Sequence, residues 1–282
     1  MVRGHAVLPH RRVRARFVST HPTSWLEPLA LAVALLGFSG CAHVPPAASV
    51  TQWTYPEGPG WGSACEAPPP PQQSPITFVG VATTPWTTST VVPQATFDPH
   101  DQNVVFTASP GPSVAMTPGI GDSAKPYVYT VAGFHFHHRN EHVVDGTPVF
   151  EIHIKTTDQY GGTAVFGALW KIDDGVADDP TLVAAYRSLS APPGSVEAVD
   201  LGSVLWRFGH ESFYSYVGSL TTPPCTGNIR WFVLQAPIRT PSGIVNRLRA
   251  ALRSNGMPEN NVRGVKPLAQ PAPTIYRVTP KQ

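Results

Sequence analysis

The sequence predicts a mainly β protein of the α+β class, a single domain around a large, mostly antiparallel twisted β-sheet with a few short surface helices. Two observations carry this prediction. Short stretches of alternating apolar and polar residues recur along the chain, separated by Pro, Gly and Asp, as in antiparallel sheets. Only two segments have the periodicity of a helix. The stretches with strand character outside the histidine-rich region are 76–81, 104–107, 114–116, 127–131, 163–171 and 228–235.

Both helical segments carry start or stop signals. The first begins at Asp179-Pro180, a capping residue followed by proline at the first helical position, and places Leu182 on its apolar face. The second runs from Ser242 to Ser254 and ends before Asn255-Gly256. Both are short, so the helices are expected on the surface of the sheet.

Composition limits the classes of function. The chain has 282 residues, of which 41% are hydrophobic, enough for one substantial core. Charged residues make up only 13% and prolines number 32, which indicates a loop-rich chain. The net charge of +2 comes with no basic stripe through the domain, so nucleic acid is not an expected partner.

The N-terminus has the pattern of an export signal. Residues 1–40 combine an arginine-rich start with the apolar run Leu29–Gly40, which at twelve residues is too short to span a bilayer as a helix. Phe38-Ser39-Gly40-Cys41 resembles a bacterial lipobox, in which Cys41 carries lipid and becomes the mature N-terminus; plain cleavage is the alternative. Residues 41–52 are small and polar and are expected to form a tether, followed by one domain over 53–278.

The most informative stretch is Gly133-Phe-His-Phe-His137. If it forms a strand, His135 and His137 point to one face, and the alternation of 149–154 places Glu151 and His153 on a common face of a second strand. Three imidazoles on a sheet leave the fourth position of a tetrahedral zinc ion open, as in catalytic zinc sites. The alternative is a histidine-rich strand with solvated side chains.

Four motifs in order extend this pattern: His135-Phe-His137, Glu141-His-Val-Val-Asp-Gly146, Glu151-Ile-His153 and Ser219-Leu-Thr-Thr-Pro-Pro-Cys225. Together they resemble the α-class carbonic anhydrases, and further matches extend the resemblance over residues 53–270. It implies an α-carbonic anhydrase-like fold and a zinc lyase that interconverts carbon dioxide and bicarbonate by means of zinc-bound hydroxide. The implied zinc ligands are His135, His137 and His153.

The resemblance also implies roles for other residues. Thr221 would orient the nucleophile, and its own hydroxyl would donate a hydrogen bond to Glu141. Residues implied to support the ligands or the nearby water are Glu151, His142, Tyr55 and Asn261. Those implied to line the substrate pocket are Val165, Leu220, Thr222, Ile229 and Trp231.

Three positions depart from the family pattern. Gly133 stands where the family has a glutamine that supports the first zinc ligand, so His135 is expected to lack that partner. Lys155 replaces an apolar pocket residue; its ammonium either faces the cavity or extends to the rim. Pro112 aligns with the family's proton-shuttle histidine and cannot carry a proton.

The resemblance to exported members further implies a disulfide between Cys65 and Cys225, with two free buried thiols as the alternative. The expected location is the periplasm or cell envelope of a bacterium, with a lipid anchor in the outer membrane. Two other functions stay open. The chain could be a carbonic-anhydrase-like envelope protein that binds zinc or an anion with weak or no turnover, or a zinc esterase.

Overall fold

A computed structural model of the protein describes residues 53–62, 65, 72–91, 106–107, 113–117, 127–192 and 199–280. These residues belong to the compact unit Val50–Gln282. Within them, ten strands form one sheet, which confirms the predicted mainly β fold. The strands are β1 Thr84–Val91, β2 Phe106–Thr107, β3 Ser113–Thr117, β4 Tyr127–His137, β5 Phe150–Asp158, β6 Thr163–Ile172, β7 Phe213–Ser219, β8 Gly227–Leu234, β9 Ile238–Thr240 and β10 Tyr276–Pro280.

The sheet is mixed but mostly antiparallel, as predicted. Its neighbours run in the order β2-β4-β3-β1-β10-β7-β8-β6-β5, with β9 beside β6 and β4 also paired with β5. Among the described strands, the parallel pairs are β1 with β10, β6 with β8 and β6 with β9. The long antiparallel pairing of β4, β5 and β6 forms the part of the sheet that carries the histidines.

Strands β4 and β5 have two buried faces of different character. Phe134 and Phe136 on β4, with Ile152 on β5, are fully buried in the main apolar core. His137 and His153 are also buried but point to the opposite face, because successive side chains alternate across a strand. One face therefore fixes the strands in the core, and the other presents imidazoles.

Three helices flank the sheet: α1 Pro180–Ser190, α2 Gly202–Arg207 and α3 Ser242–Ser254. The first begins where predicted, and the Asp179 carboxylate accepts hydrogen bonds from the backbone N–H groups of Thr181 and Leu182. The second was not predicted, because its six residues are too few for a periodic pattern and its first residue has no capping side chain. No helix in the described ranges has the length and apolar character needed to cross a bilayer.

Sequence patterns failed where local alternation was weak or misleading. The expected strand over 76–81 forms only one bridge, between Thr77 and Val143, and its end turns at Gly80, which has a positive φ of 72°. Strand β7 was not predicted because six of its seven residues are buried, so polar and apolar residues do not alternate along it. The export signal at 1–40, the tether at 41–52 and Cys41 lie outside the described residues.

Cys65 and Cys225 are joined in a disulfide that links two segments 160 residues apart. Both cysteines are buried beside Trp61, and Trp53 and Tyr55 pack against this small cluster. The bridge expected from the resemblance is therefore present. It ties the N-terminal segment to the loop that follows Thr221.

Removing the bridge should destabilise the fold. The double variant Cys65→Ser/Cys225→Ser is expected to lose about 2–5 kcal/mol of unfolding free energy, because the native bridge restricts the unfolded chain over a long loop. Urea unfolding of the oxidised protein and the variant measures this difference. Cys41→Ser is the matched control and should leave the value unchanged; equal stability of all three proteins would contradict a structural role for the bridge.

Candidate metal centre

The antiparallel register of β4 and β5 brings three histidines together. His135 lies directly opposite His153, and His137 lies opposite Glu151. Nε2 of His137 and Nδ1 of His153 are 3.0 Å apart. One ring nitrogen from each of His135, His137 and His153 lies within 4.8 Å of the others, so these three side chains could hold one metal ion.

The nitrogens that face away from this point are held by the protein. Nδ1 of His137 donates to the backbone carbonyl of Asn261 at 2.5 Å, and Nε2 of His153 donates to Oε1 of Glu151 at 2.9 Å. These bonds leave Nε2 of His137 and Nδ1 of His153 with lone pairs directed at the shared centre. Nε2 of His135 is buried without a hydrogen-bond partner among the described residues.

His135 differs from the other two ligands in its support. Its Nε2 is buried with no hydrogen-bond partner among the described residues, and Gly133 has no side chain that could support the ring. Gly133 lies in β4 beside a register shift that begins at Val131 and pairs with Lys155 across the strands. Two of the three imidazoles are therefore oriented by hydrogen bonds, whereas His135 is oriented by its strand and ring contacts.

The three imidazoles favour the neutral form that a metal requires. Burial lowers the pKa of His137 to about 4. Burial, followed by the neighbouring charges of His137 and His153, holds the pKa of His135 well below its ordinary value. Burial also lowers the pKa of His153, with a further contribution from His137. All three lone pairs are thus available at neutral pH.

Glu151 connects the centre to a buried polar network. Its Oε1 accepts from His153 and from Nδ1 of His142 at 2.8 Å, while Oε2 accepts the backbone N–H groups of Glu141 and His142. Burial alone would raise the pKa of Glu151, but its interactions with His142 and His153 outweigh this and hold it below its ordinary value. The grouping of His142, Glu151 and His153 is therefore a saturated hydrogen-bond network, not a second metal site.

The network continues across the sheet to the N-terminal segment. Because Nδ1 of His142 donates to Glu151, its Nε2 accepts from the Tyr216 hydroxyl at 2.9 Å. The Tyr216 oxygen in turn accepts from Oγ of Ser74 at 2.7 Å, and Ser74 exchanges hydrogen bonds with Ser219. Sequence reasoning missed Tyr216, which has no local signal that distinguishes it from an ordinary strand residue.

Thr221 and Glu141 lie at the edge of the centre. Oε1 of Glu141 accepts the backbone N–H of Arg263 at 2.7 Å, and Oε2 lies 3.8 Å from Nδ1 of His153. Burial raises the pKa of Glu141 to about 7, while the nearby Thr221 hydroxyl acts in the opposite direction. Oε2 has no hydrogen-bond partner among the described residues, and the hydrogen bond from Thr221 to Glu141 stays a prediction.

Arg263 holds the surrounding loops together. Its guanidinium donates to Oε1 of Gln73 at 2.9 Å, to the carbonyl of Cys65 at 2.6 Å and to Oε1 of Glu57 at 2.9 Å. Its backbone N–H donates to Oε1 of Glu141, so one buried residue links the disulfide, the N-terminal segment and the site carboxylate. Sequence reasoning gave Arg263 no role, because a buried arginine cannot be distinguished from a surface one in a proline-rich segment.

An apolar wall adjoins the imidazoles. Val165, Ile229 and Trp231 are buried in a second apolar cluster, with Leu220 packed against it. Trp231 also contacts the His153 ring, with centroids 4.7 Å apart. The structure thus brings these four residues into one cluster, and their role as a substrate pocket stays a prediction. Partly buried Thr222 follows Thr221 on the same loop.

The remaining predicted residues have distinct positions. Tyr55 packs on Trp53 and Trp61, and burial together with the charge of Glu141 raises its pKa. Lys155 is exposed and pairs with Gly133, two residues along β5 from His153. Pro112 lies outside the described residues.

The sequence around this centre matches a known protein family. The model of the eukaryotic-type carbonic anhydrases matches residues 57–272, which include every residue of the centre. The chain belongs to the eukaryotic-type carbonic anhydrase family. Zinc is the metal on which this family generally depends, and the orphaned Nε2 of His135 beside two preoriented imidazole lone pairs fits it.

Individual carbonic anhydrases match parts of the chain. A carbonic anhydrase of Nostoc is 30% identical over 129 residues, covering 44% of this chain and 48% of its own. Alpha carbonic anhydrase 4 of Arabidopsis thaliana is 28% identical over 181 residues, covering 58% and 67%. The chain thus spans about half to two thirds of these relatives.

A solved structure shows the same fold. Carbonic anhydrase Cah3 of Chlamydomonas reinhardtii, in complex with acetazolamide, aligns with a TM-score of 0.60 at 21% identity and covers 80% of this chain and 99% of its own.

Zinc retention should depend on the three histidines together. His153→Ala is expected to lose most of the bound zinc, because two imidazoles cannot complete the set of ligands. Metal analysis after dialysis checks this. His210→Ala, which removes an exposed imidazole stacked on Trp206, is the matched control and should keep its zinc. Full occupancy in the His153 variant would refute the assignment.

Proposed function

We propose that the chain catalyses the reversible hydration of carbon dioxide to bicarbonate and a proton, with zinc bound by His135, His137 and His153. The observation that carries this proposal is the set of three converging, neutral imidazoles with Thr221 and Glu141 beside them. Zinc in such a site acts as a Lewis acid that lowers the pKa of a bound water to about 7, a magnitude established for carbonic anhydrases themselves.

Three residues of the chain would orient the nucleophile. Thr221 would accept a hydrogen bond from the nucleophile and donate its own proton to Glu141, which fixes the direction of the attacking lone pair. A dication would favour the ionised form of Glu141 that this chain of hydrogen bonds needs, opposing the effect of burial. Arg263 supports the acceptor by donating its backbone N–H to Oε1.

The apolar wall suits the substrate. Carbon dioxide is small, uncharged and apolar, so it gains from a surface that water cannot solvate well. Val165, Ile229 and Trp231 provide such a surface next to His153. No strong ligand for the substrate is required, because its carbon is already electrophilic.

The binding-protein alternative rests on the residues that depart from the family pattern. Gly133 offers no side chain to support His135, and Lys155 adds a charge on the histidine side of the sheet. Loss of such support typically costs about ten- to a hundredfold in metal affinity or activity, which would slow turnover without preventing it. A zinc esterase that uses the same centre stays the other alternative, and an ester-hydrolysis assay of the zinc-loaded protein would test it.

We also propose the arrangement of the whole chain. An export signal over 1–40 would be followed by a lipid-bearing Cys41, a tether over 41–52 and the carbonic anhydrase domain over 53–278, located in the bacterial cell envelope. The lipobox-like sequence supports the lipid anchor, and the disulfide supports export to an oxidising compartment. Radiolabelled palmitate incorporation that persists in Cys41→Ser would contradict the anchor.

Hydration measured by stopped flow tests the proposed reaction. Zinc-loaded protein should accelerate hydration, and Thr221→Ala should lower kcat/KM by about a hundredfold, because the nucleophile loses its orienting group. Thr221→Ser keeps the hydroxyl and should retain most of the activity. A zinc-loaded parent without any hydration would favour the binding-protein alternative.

Release of the proton from the metal centre should limit kcat. Pro112 carries no ionisable group, so the proton must leave through water, buffer or a substitute such as Lys155 or His100. Histidine has an unperturbed pKa near 6.5, which suits it as a relay. We expect kcat to rise with the concentration of an imidazole-type buffer, and Pro112→His to raise it at low buffer without changing kcat/KM. A fast, buffer-independent parent would contradict this prediction.

A further inference from the structure

Lys155 lies in the row of side chains next to the metal centre. It follows His153 by two residues on β5, so the two side chains emerge on the same face about 7 Å apart along the strand. Its neighbours in the sheet are Gly133 on one side and Val165 on the other. Ile154 and Thr156, on either side of it in sequence, are buried on the opposite face.

No carboxylate of the described residues pairs with the ammonium group of Lys155. Among the described residues it forms no ion pair, whereas Lys266 is bound to Glu57 at 2.6 Å. Its position two residues after His153, opposite Gly133 of β4, places it on the histidine side of the sheet. Gly133 has no side chain that could separate Lys155 from this part of the pocket.

We propose that Lys155 makes the mouth of the metal pocket a binding determinant for small monovalent anions the size of bicarbonate. The proposal rests on the proposed function, since bicarbonate is the anion that this reaction forms and consumes. An unpaired cation beside an apolar wall raises the local concentration of anions and slows their departure. Lys155 would therefore tighten the binding of bicarbonate and of competing anions, while carbon dioxide, being uncharged, gains nothing.

Binding of thiocyanate to the zinc-loaded full chain measures this effect apart from turnover. By calorimetry at low ionic strength, Lys155→Met should weaken thiocyanate roughly three- to tenfold, as expected for one charge across a partly wet pocket. Lys155→Arg should restore the affinity, and the advantage of the parent should shrink as an inert salt is added. Lys155→Gln provides a second neutral variant if the Met variant folds poorly.

Lys171→Met is the matched control. Lys171 lies six residues beyond Val165 on β6, about 20 Å along the strand from the Lys155 row, so its removal should leave thiocyanate affinity unchanged. Unchanged affinity in both neutral Lys155 variants, or an equal loss in Lys171→Met, would overturn the proposal. Because binding is read without turnover, a protein that binds thiocyanate through Lys155 but does not hydrate carbon dioxide would refute the proposed reaction alone.

Discussion

The centre depends on the antiparallel register between β4 and β5. Because His135 pairs with His153, a shift of one residue would turn one set of imidazoles into the core and bring the phenylalanines to the site. The core prevents such a shift, since Phe134, Phe136 and Ile152 are fully buried on the other face. Apolar packing on one side of the sheet therefore fixes the chemistry on the other.

Burial of so many polar groups requires that they satisfy one another. Glu151 accepts four hydrogen bonds, two from histidine rings and two from backbone N–H groups. His142, Tyr216 and Ser74 extend this network, while Arg263 closes a second one around Glu141. The atoms left without partners include Nε2 of His135 and Oε2 of Glu141, both at the centre, where a metal ion and its ligands would meet them.

The sequence predicts features that depend on neighbouring residues better than features that depend on contacts between distant segments. The alternation of histidine with phenylalanine is local, and it predicted which side chains share a face. The disulfide between Cys65 and Cys225 was predicted from the resemblance to a family, and the register of β4 against β5 is given only by the structure. No local pattern encodes such contacts.

The residues that were missed act only through distant contacts. Tyr216 and Arg263 are identified by their partners Ser74 and Gln73, which are more than 140 residues away in sequence. The sequence also could not predict whether Lys155 has an ion-pair partner, because alternation gives only the face of the strand on which its side chain lies. In the structure it is exposed, close enough to affect His135 and without an ion pair among the described residues.

X-ray absorption at the zinc edge of the metal-loaded protein tests the central claim most directly. If the register of β4 and β5 builds the centre, the spectrum should show one zinc per chain with three imidazole nitrogens and the remaining position filled by a light atom. A shell that contains sulfur, or one with a protein carboxylate in place of an imidazole, would contradict the account.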